Sequence, residues 1–138
     1  MRIGTPAEWA RAYARAITAW RELLPEARVR SVFFGGGTPS LMPPALVSEI
    51  LNVLFGAFPP VGPDVEITLE ANPTSVEARH FEAYRKAGIN RISLGIQSLD
   101  DAALRFLGRP HDRAQALDAL AVARGLFDRV NMDLIYAR

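Results

Sequence analysis

Val29-Arg30-Ser31-Val32-Phe33-Phe34-Gly35-Gly36-Gly37-Thr38-Pro39-Ser40 is the stretch that decides the fold. A run rich in β-branched and aromatic residues breaks off into three glycines, which reads as a strand feeding a glycine loop. One glycine suffices where a turn needs positive φ, and each further one adds a backbone entropy cost. Three in succession therefore point to a backbone that something approaches closely. The loop is no Walker A, because no Gly-Lys-Ser/Thr follows, and it lacks the third glycine of a dinucleotide fingerprint.

Upstream of this stretch, Thr5-Pro6-Ala7-Glu8 has the form of a capping box with proline at the first helical position. Trp9, Tyr13, Ile17, Trp20 and Leu24 follow at helical spacing until Pro25, and the aromatic members read as a core-facing stripe. Downstream, Pro43 and Pro44 open a second helix with Leu46, Val47, Ile50, Leu51, Leu54 and Phe55 on one face, closed by Gly56 and Pro59-Pro60. Residues 65–69 read as a second strand. A helix capped by Thr74 and Glu77 then runs to Gly88, and residues 89–96 read as a third strand. Asp100 caps a short helix and Asp112 a longer one to about Phe127, before a last strand over 130–136. Helices alternate with four strands and no hairpin turn occurs. This predicts one α/β domain over residues 1–138, built on a parallel sheet with right-handed crossovers. From alternation alone, an α/β barrel and a doubly wound sheet are both open.

Composition narrows the function classes. The chain has 138 residues, 49% of them hydrophobic, enough for one packed core. With 16 Lys+Arg against 15 Asp+Glu the net charge is +1, and the basic residues are scattered, so no nucleic-acid partner is expected. No stretch is long and apolar enough to cross a bilayer and no secretory signal opens the chain, so the expected compartment is the cytoplasm. The absence of cysteine removes disulfides, thiol nucleophiles and cysteine-bound metals, and His80 and His111 do not make a metal site between them.

In either α/β architecture ligands bind at the C-terminal ends of the strands. Each predicted strand ends there in glycine or polar residues: Gly35 to Ser40, then Glu70 with Asn72, then Gln97 with Ser98, and Asp133 in the last. A carboxylate inside an otherwise apolar strand, as at Asp133, needs a partner or a ligand. Arg109 follows the third strand's rim by one short helix, and its planar fork suits a carboxylate or a ribose-bearing ligand. His111, beside it, reads as a surface or capping residue.

Val32 to Ser40, Glu66-Ile67-Thr68-Leu69-Glu70-Ala71-Asn72-Pro73, Asn90 to Ser98, Leu107-Gly108-Arg109-Pro110-His111 and Asp133-Leu134-Ile135-Tyr136 resemble, in order and spacing, the landmarks of the HemN/HemW branch of radical S-adenosylmethionine (SAM) proteins. That branch holds oxygen-independent coproporphyrinogen III oxidases and HemW heme chaperones, and Glu-Ala-Asn-Pro with Leu-Gly-Arg-x-His is closer to the chaperones. The resemblance implies part of a (β/α)6 barrel with SAM and a [4Fe-4S] cluster at the C-terminal rim. It also implies that Gly36, Gly37 and Thr38 run along the methionyl part of SAM, where a Cβ would obstruct it. Glu70 accepts from the ribose or amino group on this reading, while Gln97, Arg109 and Asp133 complete the pocket.

The departures matter as much. The Cys-x-x-x-Cys-x-x-Cys loop that holds the cluster in this family is missing, together with the first barrel strand and the end of the barrel. The expectation is therefore a partial radical SAM core, inactive alone, with no catalytic residue or metal ligand of its own. The alternative is a cysteine-free module that binds a nucleoside-like ligand on the same rim. A porphyrin or heme partner belongs to the longer parent protein. Cut from a barrel, the sheet should carry two raw edges and an open inner face exposing Val32, Phe34, Ile67, Leu69, Ile92 and Leu94, which favours self-association.

Overall fold

A computed structural model describes residues 4–136. Helix α1 (Pro6–Leu23) starts on the foreseen capping box, with the Thr5 hydroxyl accepting from Glu8 N–H while the Glu8 carboxylate accepts from Thr5 N–H at 2.7 Å. Strand β1 (Ser31–Phe34) leads through a 3-10 turn, Pro39–Leu41, to α2 (Pro44–Ala57). Then come β2 (Glu66–Ala71), α3 (Ser75–Ala78), α4 (Phe81–Lys86), β3 (Arg91–Gln97), α5 (Asp101–Phe106), α6 (Arg113–Leu126) and β4 (Arg129–Leu134). The single helix read between Thr74 and Gly88 is thus two, and Asp100 and Asp112 cap the next two as foreseen.

The sheet has the order β1-β2-β3-β4 with every neighbouring pair parallel. Sequential order and helices on one face make the wall of a barrel; a doubly wound sheet reverses its order and carries helices on both faces.

Period-two alternation gives the two faces opposite characters. Phe34, Ile67, Leu69, Ala71, Ile92, Leu94 and Ile96 are buried in the core with Leu46, Val47, Ile50 and Leu51 of α2, Phe81 and Tyr84 of α4, and Ala116 and Ala123 of α6. The other face carries Glu66, Thr68 and Glu70, then Arg91, Ser93 and Gln97, then Arg129, Asn131 and Asp133. Along it Glu66 pairs with Arg91 at 3.2 Å and with Arg129 at 3.5 Å.

Two expectations are corrected here. Val32, Phe34, Ile67, Leu69, Ile92 and Leu94 do not line an open inner face, because they are the residues the helices cover, and the inward wall is polar apart from Phe33 on the edge strand, 58% exposed. The aromatic stripe of α1 is not core either: Trp9 is 47% and Trp20 59% exposed, and Ala10 is the buried residue of that helix. Ala10, with the half-buried Ile17, is what α1 contributes to the core where it packs on α2. Trp9, Tyr13 and Ile17 border an apolar groove of about 700 Å³, closed on its other sides by β1 and α2.

Candidate functional site

A polar cavity of about 200 Å³ opens at the C-terminal ends of the strands. Six of the seven predicted contact residues line it: Gly37, Thr38, Glu70, Gln97, Arg109 and Asp133. The seventh, Gly36, touches it indirectly, since its N–H donates to Glu70 Oε2 at 3.1 Å. Gly36 and Gly37 have φ of +82° and +59°, where a side chain is strained, yet no heavy atom stands within 4 Å of a Cβ at either. The backbone itself thus demands glycine at both positions, Gly37 on the polar cavity and Gly36 on the neighbouring apolar groove.

Arg109 is placed by local chain chemistry. Helix α5 ends in a Schellman motif, with Gly108 at φ +63°, its N–H on Arg105 O at 3.1 Å and Arg109 N–H on Leu104 O at 3.0 Å. The reversal throws the Arg109 side chain back over the sheet. There Nη2 donates to Asn72 Oδ1 at 2.8 Å and to Gly95 O at 3.2 Å, while Nε is buried with no acceptor. A buried guanidinium N–H without a partner is costly, a cost that the two bonds of Nη2 offset.

Behind the rim lies a residue first read only as a helix cap. Glu77 is 8% exposed, and its carboxylate accepts from the Ser40 hydroxyl, from Asn72 N–H at 2.7 Å and from Asn72 Nδ2 at 3.1 Å. One buried charge therefore ties the exit of the glycine loop to the exit of β2, and Arg109 leans on the same Asn72. Tyr84, from α4, donates to Ser40 O at 2.6 Å and Met42 O at 2.8 Å. Burial, and secondarily the negative charge of Glu77, push its phenol up to about 12. The Thr-x-x-Glu spacing was the only sequence signal for Glu77, and it does not distinguish a cap from a clamp.

Asp133 has the partners its burial called for: Ser93 Oγ donates to it at 3.2 Å and Asn131 Nδ2 at 2.7 Å. His111 departs from expectation. It is 3% exposed, with Nε2 3.0 Å from Ile96 O, so it is an interior residue and not a surface one. Among the described residues no three His, Cys, Asp or Glu come together to hold a metal ion.

A sequence profile of the Radical SAM superfamily matches residues 5–137. The mitochondrial radical S-adenosyl methionine domain-containing protein 1 of Mus musculus is 53% identical over 110 residues, 78% of this chain and 24% of its own length. The heme chaperone HemW of Escherichia coli K12 is 43% identical over 109 residues, again 78% of this chain and 29% of that protein. Among solved structures, coproporphyrinogen III oxidase (HemN) from Escherichia coli, a radical SAM enzyme, matches with a TM-score of 0.78 and 29% identity over 95% of this chain and 30% of its own. The chain thus spans between 24% and 30% of the length of these relatives.

Proposed function

The chain belongs to the radical SAM superfamily, in the branch of the HemW heme chaperones and HemN, and from that premise we propose that its strand-end cavity holds S-adenosylmethionine within a longer, HemW-like protein of heme or porphyrin metabolism. The observation that carries this reading is the convergence of Arg109, Glu70, Gln97 and Asp133 on one polar cavity beside the glycine loop. A ligand with a carboxylate at one end and ribose hydroxyls at the other suits both kinds of group: an acceptor for Arg109, and donors for Glu70 and Asp133. Gly36, Gly37 and Thr38 offer backbone to its methionyl part without a Cβ in the way.

The [4Fe-4S] cluster such proteins carry does not fit this chain. The sequence holds no cysteine, so no step of SAM cleavage is assigned to these residues. In this proposal residues 1–138 are part of a radical SAM core, and the cluster thiolates and the heme or porphyrin site lie elsewhere in the parent. No described helix is long and apolar enough to span a membrane. A second reading, a nucleoside-binding module complete in itself, draws on the same cavity and on the missing thiolates.

Titration of the chain with SAM, followed by amide NMR, tests the proposal. Shifts confined to Gly37, Asn72, Gln97 and Asp133, and lost in Arg109→Met, are the expected result. No shift at millimolar SAM overturns it, and equal shifts with adenosine favour the second reading.

A further inference from the structure

We propose that His111 is a positioning residue: donating from Nε2 to the carbonyl of Ile96, it holds the strained turn that aims Gln97 into the rim cavity.

Gln97 is the only non-glycine residue with positive φ among the described residues, at +67°. The Ser98 N–H reaches back to Ile96 O at 2.8 Å and closes a three-residue γ-turn around it. The positive-φ form of that turn is rare and strained, and it persists only where its surroundings over-determine it. The β3–β4 register shifts between Leu94 and Gln97, and Ile135 N–H anchors Gln97 O at 2.9 Å. The turn directs the side chain back along its own strand. A Cβ on Gly95 would stand 3.2 Å from Gln97 Nε2 and 3.6 Å from Arg109 Nη2, so the amide lies over Gly95 beside the guanidinium.

His111 is the side chain that bears on this turn from outside it. The Ile96 carbonyl can only accept, so the ring nitrogen facing it, Nε2, carries a proton and donates, while Nδ1 is buried without a partner. Arg109, two residues earlier, donates to the preceding carbonyl, Gly95 O, at 3.2 Å. One loop therefore grips two successive carbonyls at the end of β3, with the rigid Pro110 between its two side chains. Arg109 faces the cavity from this grip, and His111 secures the residue beside it.

The consequence for ligand binding rests on the proposed SAM site, whereas the consequence for the turn does not. Three variants of the full chain separate hydrogen bonding from packing: His111→Leu keeps an apolar filler, His111→Gln keeps a donor at the Nε2 position, and Gln97→Gly removes the strain. Hydrogen exchange of the Ser98 amide reads the turn. His111→Leu speeds that exchange about tenfold or more while Leu94 exchanges as before, and His111→Gln keeps it within about threefold of wild type. In the Gln97→Gly background, removing His111 accelerates Ser98 less, which keeps the test usable should His111→Leu alone fold poorly. SAM affinity should follow the same order, with the Leu variant weakest and the Gln variant restored. Unchanged Ser98 exchange in His111→Leu, or a Gln variant as fast as Leu, overturns the proposal. A wild-type chain that fails to bind SAM removes the cavity assignment alone, and the exchange data still decide the role of His111.

Discussion

Asn72 is joined to Glu77 twice, through its main-chain N–H at 2.7 Å and its side-chain amide at 3.1 Å. The five-residue loop between β2 and the Glu77 carboxylate is closed by these bonds, and the Oδ1 that remains on Asn72 takes Arg109. Removing the carboxylate leaves three donors without their acceptor, one on the buried Ser40 and two on the half-buried Asn72. Glu77→Ala should therefore cost about 3 kcal/mol, at the upper end for bonds to a charged group. Urea denaturation measures it, and a loss below about 1 kcal/mol would mean that solvent replaces the carboxylate easily.

Tyr84 gives a prediction in pH. Its folded-state phenol lies at about 12 against an ordinary value of 10.0, so the unfolded chain ionises first. The stability that this neutral phenol provides is fully present below pH 10 and is lost as pH rises toward 12. Melting temperature should fall across that window, and Tyr84→Phe should flatten the fall while costing about 1 kcal/mol at neutral pH.

Gly95→Ala separates rim geometry from stability. The added Cβ meets the ends of the Gln97 and Arg109 side chains at 3.2 and 3.6 Å, with the Ala71 carbonyl at an ordinary contact distance of 3.9 Å, and the substitution reduces the freedom of the unfolded chain. The variant should melt within a few degrees of wild type yet show altered SAM shifts at Gln97. A large loss of stability would place backbone, and not side-chain ends, in the way.

Anaerobic reconstitution with iron and sulfide should leave the chain without a [4Fe-4S] absorption band, because no thiolate is available to it. SAM binding, lacking a cluster iron to chelate its amino acid end, should be weaker than a Kd of about 1 μM by calorimetry.

Self-association should follow from the β4 edge. Met132 and Leu134 of β4, with Ile135 and Tyr136 just past its end, are 47, 52, 43 and 89% exposed, and among the described residues the outer side of β4 pairs with no strand. Sedimentation equilibrium at micromolar concentration should show dimers or larger species, and Leu134→Glu should reduce them. A sharp monomer would speak against it and in favour of a self-sufficient module.

The succession of helices and parallel strands and the polar strand-end cavity were legible because they rest on local signals, whereas alternation left the strand order open between a barrel and a doubly wound sheet. The helix caps at Thr5, Thr74, Asp100 and Asp112 fixed the helix starts, and strand-end polar residues converge wherever parallel strands lie side by side. What was illegible depended on partners distant in sequence. Alternation in Glu66-Ile67-Thr68-Leu69-Glu70-Ala71 was plain, but which set faces the helices is settled by packing, and the polar set turned inward. The α1 aromatics have core spacing, yet the helix turns Ala10 and Ile17 to the core and leaves Trp9 and Tyr13 at a groove and Trp20 exposed. Likewise nothing local marks His111 as buried or Gln97 as strained, since both follow from the loop folding back over β3.

The polar inward wall sets the thermodynamic character of whatever settles on it. A ligand there covers carboxylates, hydroxyls and amides in place of methyl groups, and it displaces bound water. Removing apolar surface from water is what gives binding a strongly negative heat-capacity change, so association at this wall should be nearly temperature-independent in its enthalpy. A molecule seated in the groove beside Trp9 and Tyr13 would show the opposite trend, so calorimetry at several temperatures tells the two sites apart without any mutation.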